Sequence, residues 1–111
     1  MEINVDPHYF HLIESGAKTV EGRCGTERYK NLQPNDFIMF VTDDDNTRLP
    51  AKVSLIVKYP SFKDMLTNEG IENCLPGVSD LDEGVKIYRS FPGYAEKEAA
   101  FGVIAIRFKL I

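Results

Sequence analysis

Tryptophan is absent from this chain, and cysteine nearly so: Cys24 and Cys74 are the only thiols, and they stand far apart. No CxxC pair or Cys/His ligand spacing accompanies them, which removes zinc ribbons and thioredoxin-like redox sites from consideration. His8 and His11 fall three apart on an expected helix without an obvious third ligand, so no metal and no cofactor is expected. Long apolar runs are missing too. None approaches the ~20 residues of a membrane-spanning helix, and no signal-peptide pattern is visible. The expectation is an intracellular protein, cytoplasmic or nuclear, with no membrane partner. Basic charge is also in short supply. Thirteen Lys and Arg face seventeen Asp and Glu, for a net charge of −4. That balance argues against broad duplex binding, which normally requires a basic domain. Repeats, linkers and low-complexity stretches are lacking, so residues 1–111 read as a single domain.

What charge there is lies unevenly. Residues 18–30 hold Lys18, Arg23, Arg28 and Lys30 against Glu21 and Glu27, a local basic excess within an acidic chain. The acids gather at Asp43-Asp44-Asp45 and at Asp80, Asp82 and Glu83.

Local rules give the elements. Met1 to Val5 reads as a short strand. Asp6-Pro7 predicts an N-cap and a proline at the first helical position, with Gly16 as the stop of a helix over Pro7 to Ser15 whose apolar face is Phe10 and Ile13 with Tyr9 and Leu12. Thr19 to Arg23 reads as a strand with Thr19, Glu21 and Arg23 on one face and Lys18, Val20 and Gly22 on the other. Gly25 to Lys30 is a polar loop. Gln33-Pro34-Asn35-Asp36 predicts a turn into the strand Phe37 to Thr42, and Asp43 to Asn46 a hairpin tip. Ala51, Val53, Leu55, Val57 and Tyr59 alternate with Lys52, Ser54, Ile56 and Lys58 as a half-buried strand. Ser61 and Asp64 predict a capping box opening a helix that ends at Gly70. Ser79 with Asp82 predicts another capped helix, apolar at Leu81, Val85 and Tyr88 and broken at Pro92-Gly93. Phe101 to Leu110 is the last strand, its more apolar set being Ile104, Ile106, Phe108 and Leu110. The sum is an α+β domain: a small, mostly antiparallel barrel with about three helices in the connections.

The segment Gly16-Ala17-Lys18-Thr19-Val20-Glu21-Gly22-Arg23 resembles the Gly-x-Lys-x-x-Glu-x-Arg pattern of the ASCH family, a branch of the PUA-like β-barrels. Leu32 to Phe40 is similar to that family's Gly-Asp turn and following strand, with Asn35 where glycine is usual. Tyr59-Pro60-Ser61-Phe62 and Gly102 to Ile106 match further segments in order, so the resemblance covers nearly the whole chain. It implies a barrel with a cleft beside the charged strand, and binding of RNA. Some relatives act in transcription coactivation or RNA processing. Small bacterial relatives are amidohydrolases that deacetylate N4-acetylcytidine with a Lys, a Thr and a Glu.

The residues themselves suit a single-stranded RNA or nucleotide-like ligand. Lys18 and Arg23 can meet phosphate, Glu21 can accept from a base's exocyclic amine, and Tyr29, between Arg28 and Lys30, can stack on an unpaired base. The competing structural reading makes Glu21 and Arg23 a plain surface ion pair and Tyr29 a residue packed on the barrel. An enzymatic reading uses Lys18, Thr19 and Glu21. In the amidohydrolase pattern the threonine nucleophile falls at Glu21, which has no hydroxyl, so Thr19 is the substitute; Glu69 and Glu83 are candidates for the third residue. A ribonuclease using Lys18 and Arg23, and a protein-interaction adaptor using Phe91 to Tyr94, complete the alternatives. Cys24 follows Arg23, a neighbour that can activate a thiol, but a small buried cysteine is the simpler expectation.

Overall fold

Asp6 and Pro7 begin the first helix as their chemistry dictates. In a computed structural model that describes residues 1–43 and 47–111, the Asp6 carboxylate accepts from the His8 amide and helix α1 runs Pro7–Glu14. It buries Phe10 and Ile13 and stops before Gly16, which takes a left-handed φ of 86°. Most of the expected hairpin tip lies outside the described residues. Before α1 comes strand β1, Glu2–Asn4; after it come β2, Val20–Cys24, and a single 3-10 turn, Glu27–Tyr29. Asn35 holds a φ of 76° in the turn that launches β3, Phe37–Val41, and the Asp36 carboxylate closes that turn on the Gln33 amide.

Strand β4, Arg48–Tyr59, is longer than its alternation suggested. Pairing with the final strand β5, Val103–Leu110, shifts register between Val53 and Leu55. The extra residue is a bulge, and it turns every later side chain to the other face. Ala51 and Val53, ahead of the bulge, are buried as expected, whereas Leu55, beyond it, is 40% exposed.

The five strands form one mixed sheet in the order β1-β3-β4-β5-β2, curved into a half-barrel. All pairings are antiparallel except β1 with β3. Inside the curve, α1 covers Ile3, Phe40, Val53 and Ile106. On the other face of β2 and β5, a second core forms under helices α2, Phe62–Glu69, and α4, Leu81–Ser90, around Phe62, Met65, Leu66 and Tyr88. Strand β5 serves both cores, Ile104, Ile106 and Phe108 on one side and Val103 and Ala105 on the other. Of the apolar set expected there, Leu110 falls outside and is exposed.

Among the described residues the α-helices number five, two more than expected. Ser61 caps α2 by accepting from the Asp64 amide, and its hydroxyl in turn donates to the Asp64 carboxylate, in place of the backbone bond that would complete a capping box. The short α3, Ile71–Cys74, follows Gly70 directly. Helix α4 is capped by Asp80, not by Ser79. Helix α5, Tyr94–Phe101, takes Phe101 out of the expected strand. Its Ala, Glu and Lys residues favour helix without an apolar stripe, because the residue it buries is Glu98. That carboxylate accepts from the Phe62 amide at 2.8 Å and from Arg89 Nε at 2.7 Å, so α5 caps the start of α2 and ties down α4.

Candidate functional site

The half-barrel leaves β1 and β2 as its two edges. Odd-numbered residues of β1 bond to β3, through Met1 and Val5 at its ends, so the carbonyls of Glu2 and Asn4 face the open seam. Unpaired edges invite unwanted pairing unless covered. Here two arginines cover this one. Arg23 Nη2 donates to the Asn4 carbonyl at 2.6 Å, and Arg28 Nη2 donates to that of Glu2.

Beside Arg23 the seam widens into a cavity of about 410 Å³. That size lies within the range of about 300–1,000 Å³ common for small-ligand sites. Glu21 and Arg23 reach it from β2, Lys18 from the link ahead of β2, Asn4 from the end of β1, and Asp6 from the cap of α1. Tyr9 of α1, Tyr88 of α4, Phe91 and Tyr94 form an aromatic wall. These rings brace one another edge to face, Tyr9 against Phe91 at 6.5 Å and Phe91 against Tyr94 at 5.3 Å.

The polar floor is a three-residue cluster of buried Lys18 and Glu21 with half-buried Arg23. Glu21 Oε2 accepts from Arg23 Nε at 2.8 Å, the i, i+2 pairing that strand periodicity predicts. Lys18 does not point away, as an ideal strand would require. It precedes β2, where its amide donates to Leu12 and the next amide, of Thr19, donates to Asn73. Pinned between α1 and α3, the chain turns the Lys18 side chain inward, leaving it 2% exposed. Its ammonium donates to the carbonyls of Val20 at 2.8 Å and Cys74 at 2.6 Å and lies 3.3 Å from Glu21 Oε1. An ammonium has three donors, and three protein oxygens surround this one. Burial works against the Glu21 carboxylate, yet Arg23 and Lys18 prevail and hold its pKa below the ordinary value. Glu21 is thus an ionised, buried acceptor. The Arg23 hydrogen bond and the Lys18 ion pair leave about half of its four lone-pair positions unused.

Three carboxylates, Asp6, Glu21 and Asp43, face two cations, Lys18 and Arg23, around the cavity. The floor is therefore not a cationic phosphate cradle. Lys18 is saturated, and Arg23 commits two of its five N–H donors to Glu21 and Asn4.

Other expected site residues lie elsewhere. The Arg28 guanidinium sits at the seam, 5.6 Å from the centroid of the Tyr29 ring. Tyr29 is buried in the inner core, and with Lys30 it borders a second hollow of about 180 Å³. Lys30 pairs with Glu27. Thr19 is exposed and outside the cavity lining, so no Lys18–Thr19–Glu21 set is assembled there. Glu69 is held by Arg107 through two bonds, at 2.7 and 2.9 Å, and by the Tyr59 hydroxyl; Glu83 is exposed on α4. Neither lines the cavity. Burial raises the pKa of the Cys24 thiol despite Arg23 nearby, and pushes that of Cys74 up to about 12, so neither has the character of an activated thiolate. Among the described residues no three His, Cys, Asp or Glu side chains gather to hold a metal ion, and no helix is long and apolar enough to cross a membrane.

Sequence reasoning placed Tyr9 and Tyr88 on apolar helix faces and did not assign them to the site. The spacing of Tyr88, Phe91 and Tyr94 around Pro92-Gly93 was a usable signal: three aromatics flank a break that turns two helices toward one wall.

The chain matches the family model of the ASCH domain over residues 3–111. Two solved structures are similar along nearly their whole lengths. The crystal structure of the hypothetical protein PH0355 is 43% identical with a TM-score of 0.88, the match covering 99% of this chain and 97% of that one. The solution NMR structure of PF0455 from Pyrococcus furiosus is 36% identical with a TM-score of 0.79, covering 99% and 96%. No curated protein matches. The Gly-x-Lys-x-x-Glu-x-Arg segment thus builds the floor of the cavity within a fold shared end to end with these relatives, and the chain belongs to the ASCH domain family.

Proposed function

We propose that the cavity binds a single unpaired base, presented by a strand of RNA or by a nucleotide-like ligand. The observation that carries this reading is the Glu21 carboxylate: ionised, buried, open at about half its acceptor positions, and set among the rings of Tyr9, Phe91 and Tyr94. A carboxylate in that setting favours a ligand that brings N–H donors, as the exocyclic amine of a base does. Aromatic walls suit the flat face of such a ligand. Membership of a family that is generally RNA-binding in character supports the same reading.

The charge balance refines it. With Lys18 saturated, binding rests on the base more than on the phosphates. Taking at most about two phosphate contacts and the single-strand slope of about 0.7 per contact, a fourfold rise in salt weakens binding by about sevenfold or less. The test is an NMR titration of the ¹⁵N-labelled protein with short single-stranded RNAs at 50 and 200 mM salt (about fourfold apart, following). The expected result is shifts centred on Tyr9, Gly22, Arg23, Phe91 and Tyr94 with a shallow salt dependence. Shifts confined to the hollow beside Tyr29 and Lys30, or none with any sequence, would defeat the proposal.

A further inference from the structure

Tyr88 Oη is the one fully buried side-chain polar atom among the described residues that has no hydrogen-bond partner. Buried hydroxyls are nearly always satisfied, so an orphan asks for a reason. Tyr88 is 3% exposed. Its ring stacks on Phe62 with centroids 4.6 Å apart and planes 8° from parallel, and it meets Phe91 edge to face at 6.3 Å.

The oxygen is brought to the site by the absence of a side chain. A Cβ on Gly22 would lie 3.0 Å from Tyr88 Oη and 2.7 Å from Met65 Cε. Glycine at that position lets the hydroxyl press against the strand that carries Glu21 and Arg23. Gly22 and Tyr88 both line the cavity. Glu21 takes its N–H donors from Lys18 and Arg23, and the Tyr88 hydroxyl is not among its partners.

We propose that Tyr88 is a ligand-binding, specificity-determining residue, its hydroxyl donating to a ring nitrogen or carbonyl oxygen of the base whose amine Glu21 accepts. This rests on the base-binding reading of the cavity and adds to it a named second contact. Burial raises the pKa of the phenol well above its usual value, so the group remains a donor throughout the neutral range. A site with one acceptor and one donor selects bases that present an amine together with an acceptor, as cytosine does. Uracil offers a carbonyl oxygen where cytosine has its amine, and that oxygen would face the Glu21 carboxylate.

The test compares wild type with Tyr88→Phe, which removes one oxygen and keeps the stacked ring. Free proteins are compared by thermal melting, and binding by NMR titration with a cytidine oligonucleotide and its uridine counterpart. In the free state the variant melts at the wild-type temperature or higher, because an unsatisfied hydroxyl has been deleted. With the cytidine oligonucleotide it binds about tenfold more weakly, the worth of one good hydrogen bond. With the uridine counterpart the change is small. A fall in the free protein's melting temperature would show that the hydroxyl has a structural partner and would overturn the assignment. Equal cytidine affinity in both proteins would overturn it too, while leaving base binding intact. Wild type that binds neither oligonucleotide would remove both readings together.

Discussion

Replacing Lys18 by methionine separates a structural lysine from a phosphate-binding one. Methionine keeps an unbranched apolar stem in the slot, so the effect reports on the ammonium and not on a void. In the native protein that ammonium satisfies the carbonyls of Val20 and Cys74 and faces Glu21. Removing one member of a buried charge pair costs about 3–5 kcal/mol. Arg23 remains to neutralise Glu21, which pulls the loss toward the lower end. Two carbonyls left short of a donor, at about 1–3 kcal/mol for each buried unsatisfied group and not additive, push it back up. The expected loss is therefore about 3–5 kcal/mol, a large share of the roughly 5–15 kcal/mol that holds a domain folded. At about 4 °C per kcal/mol this lowers the melting temperature by about 12–20 °C. Urea unfolding followed by circular dichroism gives the energy directly. Because the pair is buried, the loss persists at about 1 M salt, where exposed pairs are screened. An exposed ligand-binding lysine would change stability by less than about 0.5 kcal/mol. A loss below about 1 kcal/mol, or one that disappears in high salt, would refute the reasoning.

Further outcomes follow from the same contacts. Glu21 and Glu69 both have folded-state pKa values below the ordinary 4.5, so their contribution is present above that value and is lost as pH falls through the lowered ones. Melting temperature should hold steady near neutrality and drop below about pH 5, and Glu69→Gln should flatten part of that drop. Gly22→Ala places a methyl against Met65 and Tyr88 and should cost about 1–2 kcal/mol in urea unfolding, since the flexible end of Met65 can yield. Glu98→Ala strips the acceptor from the Phe62 amide and should cost about 1–2 kcal/mol, with Glu98→Gln losing less because it retains an acceptor. Arg28→Ala should speed amide exchange along β1, whose Glu2 carbonyl it covers, and leave RNA affinity unchanged.

The parts of the fold that depend on short-range rules were legible in the sequence. Asp6-Pro7 and Gly16 bracket α1, Ser61 and Asp64 cap α2, and Asn35 takes the left-handed turn position, each through contacts within a few residues. The Glu21–Arg23 pair was legible for the same reason. Features decided by distant contacts were not. Lys18 turns inward toward a carbonyl 56 residues away, which no strand periodicity reveals. The bulge between Val53 and Leu55 inverts an alternation that reads cleanly on paper. Helix α5 carries no apolar stripe to mark it, because it buries a carboxylate. The aromatic wall was hidden because its rings come from separate helices and the link between α4 and α5, and only the half-barrel's open seam brings them to Glu21.

A crystal structure of the protein with a bound cytidine oligonucleotide tests the central claim most directly. The account predicts one base in the cavity, its exocyclic amine on Glu21, its ring against the aromatic wall of Tyr9, Phe91 and Tyr94, and an acceptor atom within hydrogen-bond distance of Tyr88 Oη. A strand that binds through its phosphates at Arg28 and Lys30, with the cavity holding no base, would contradict it.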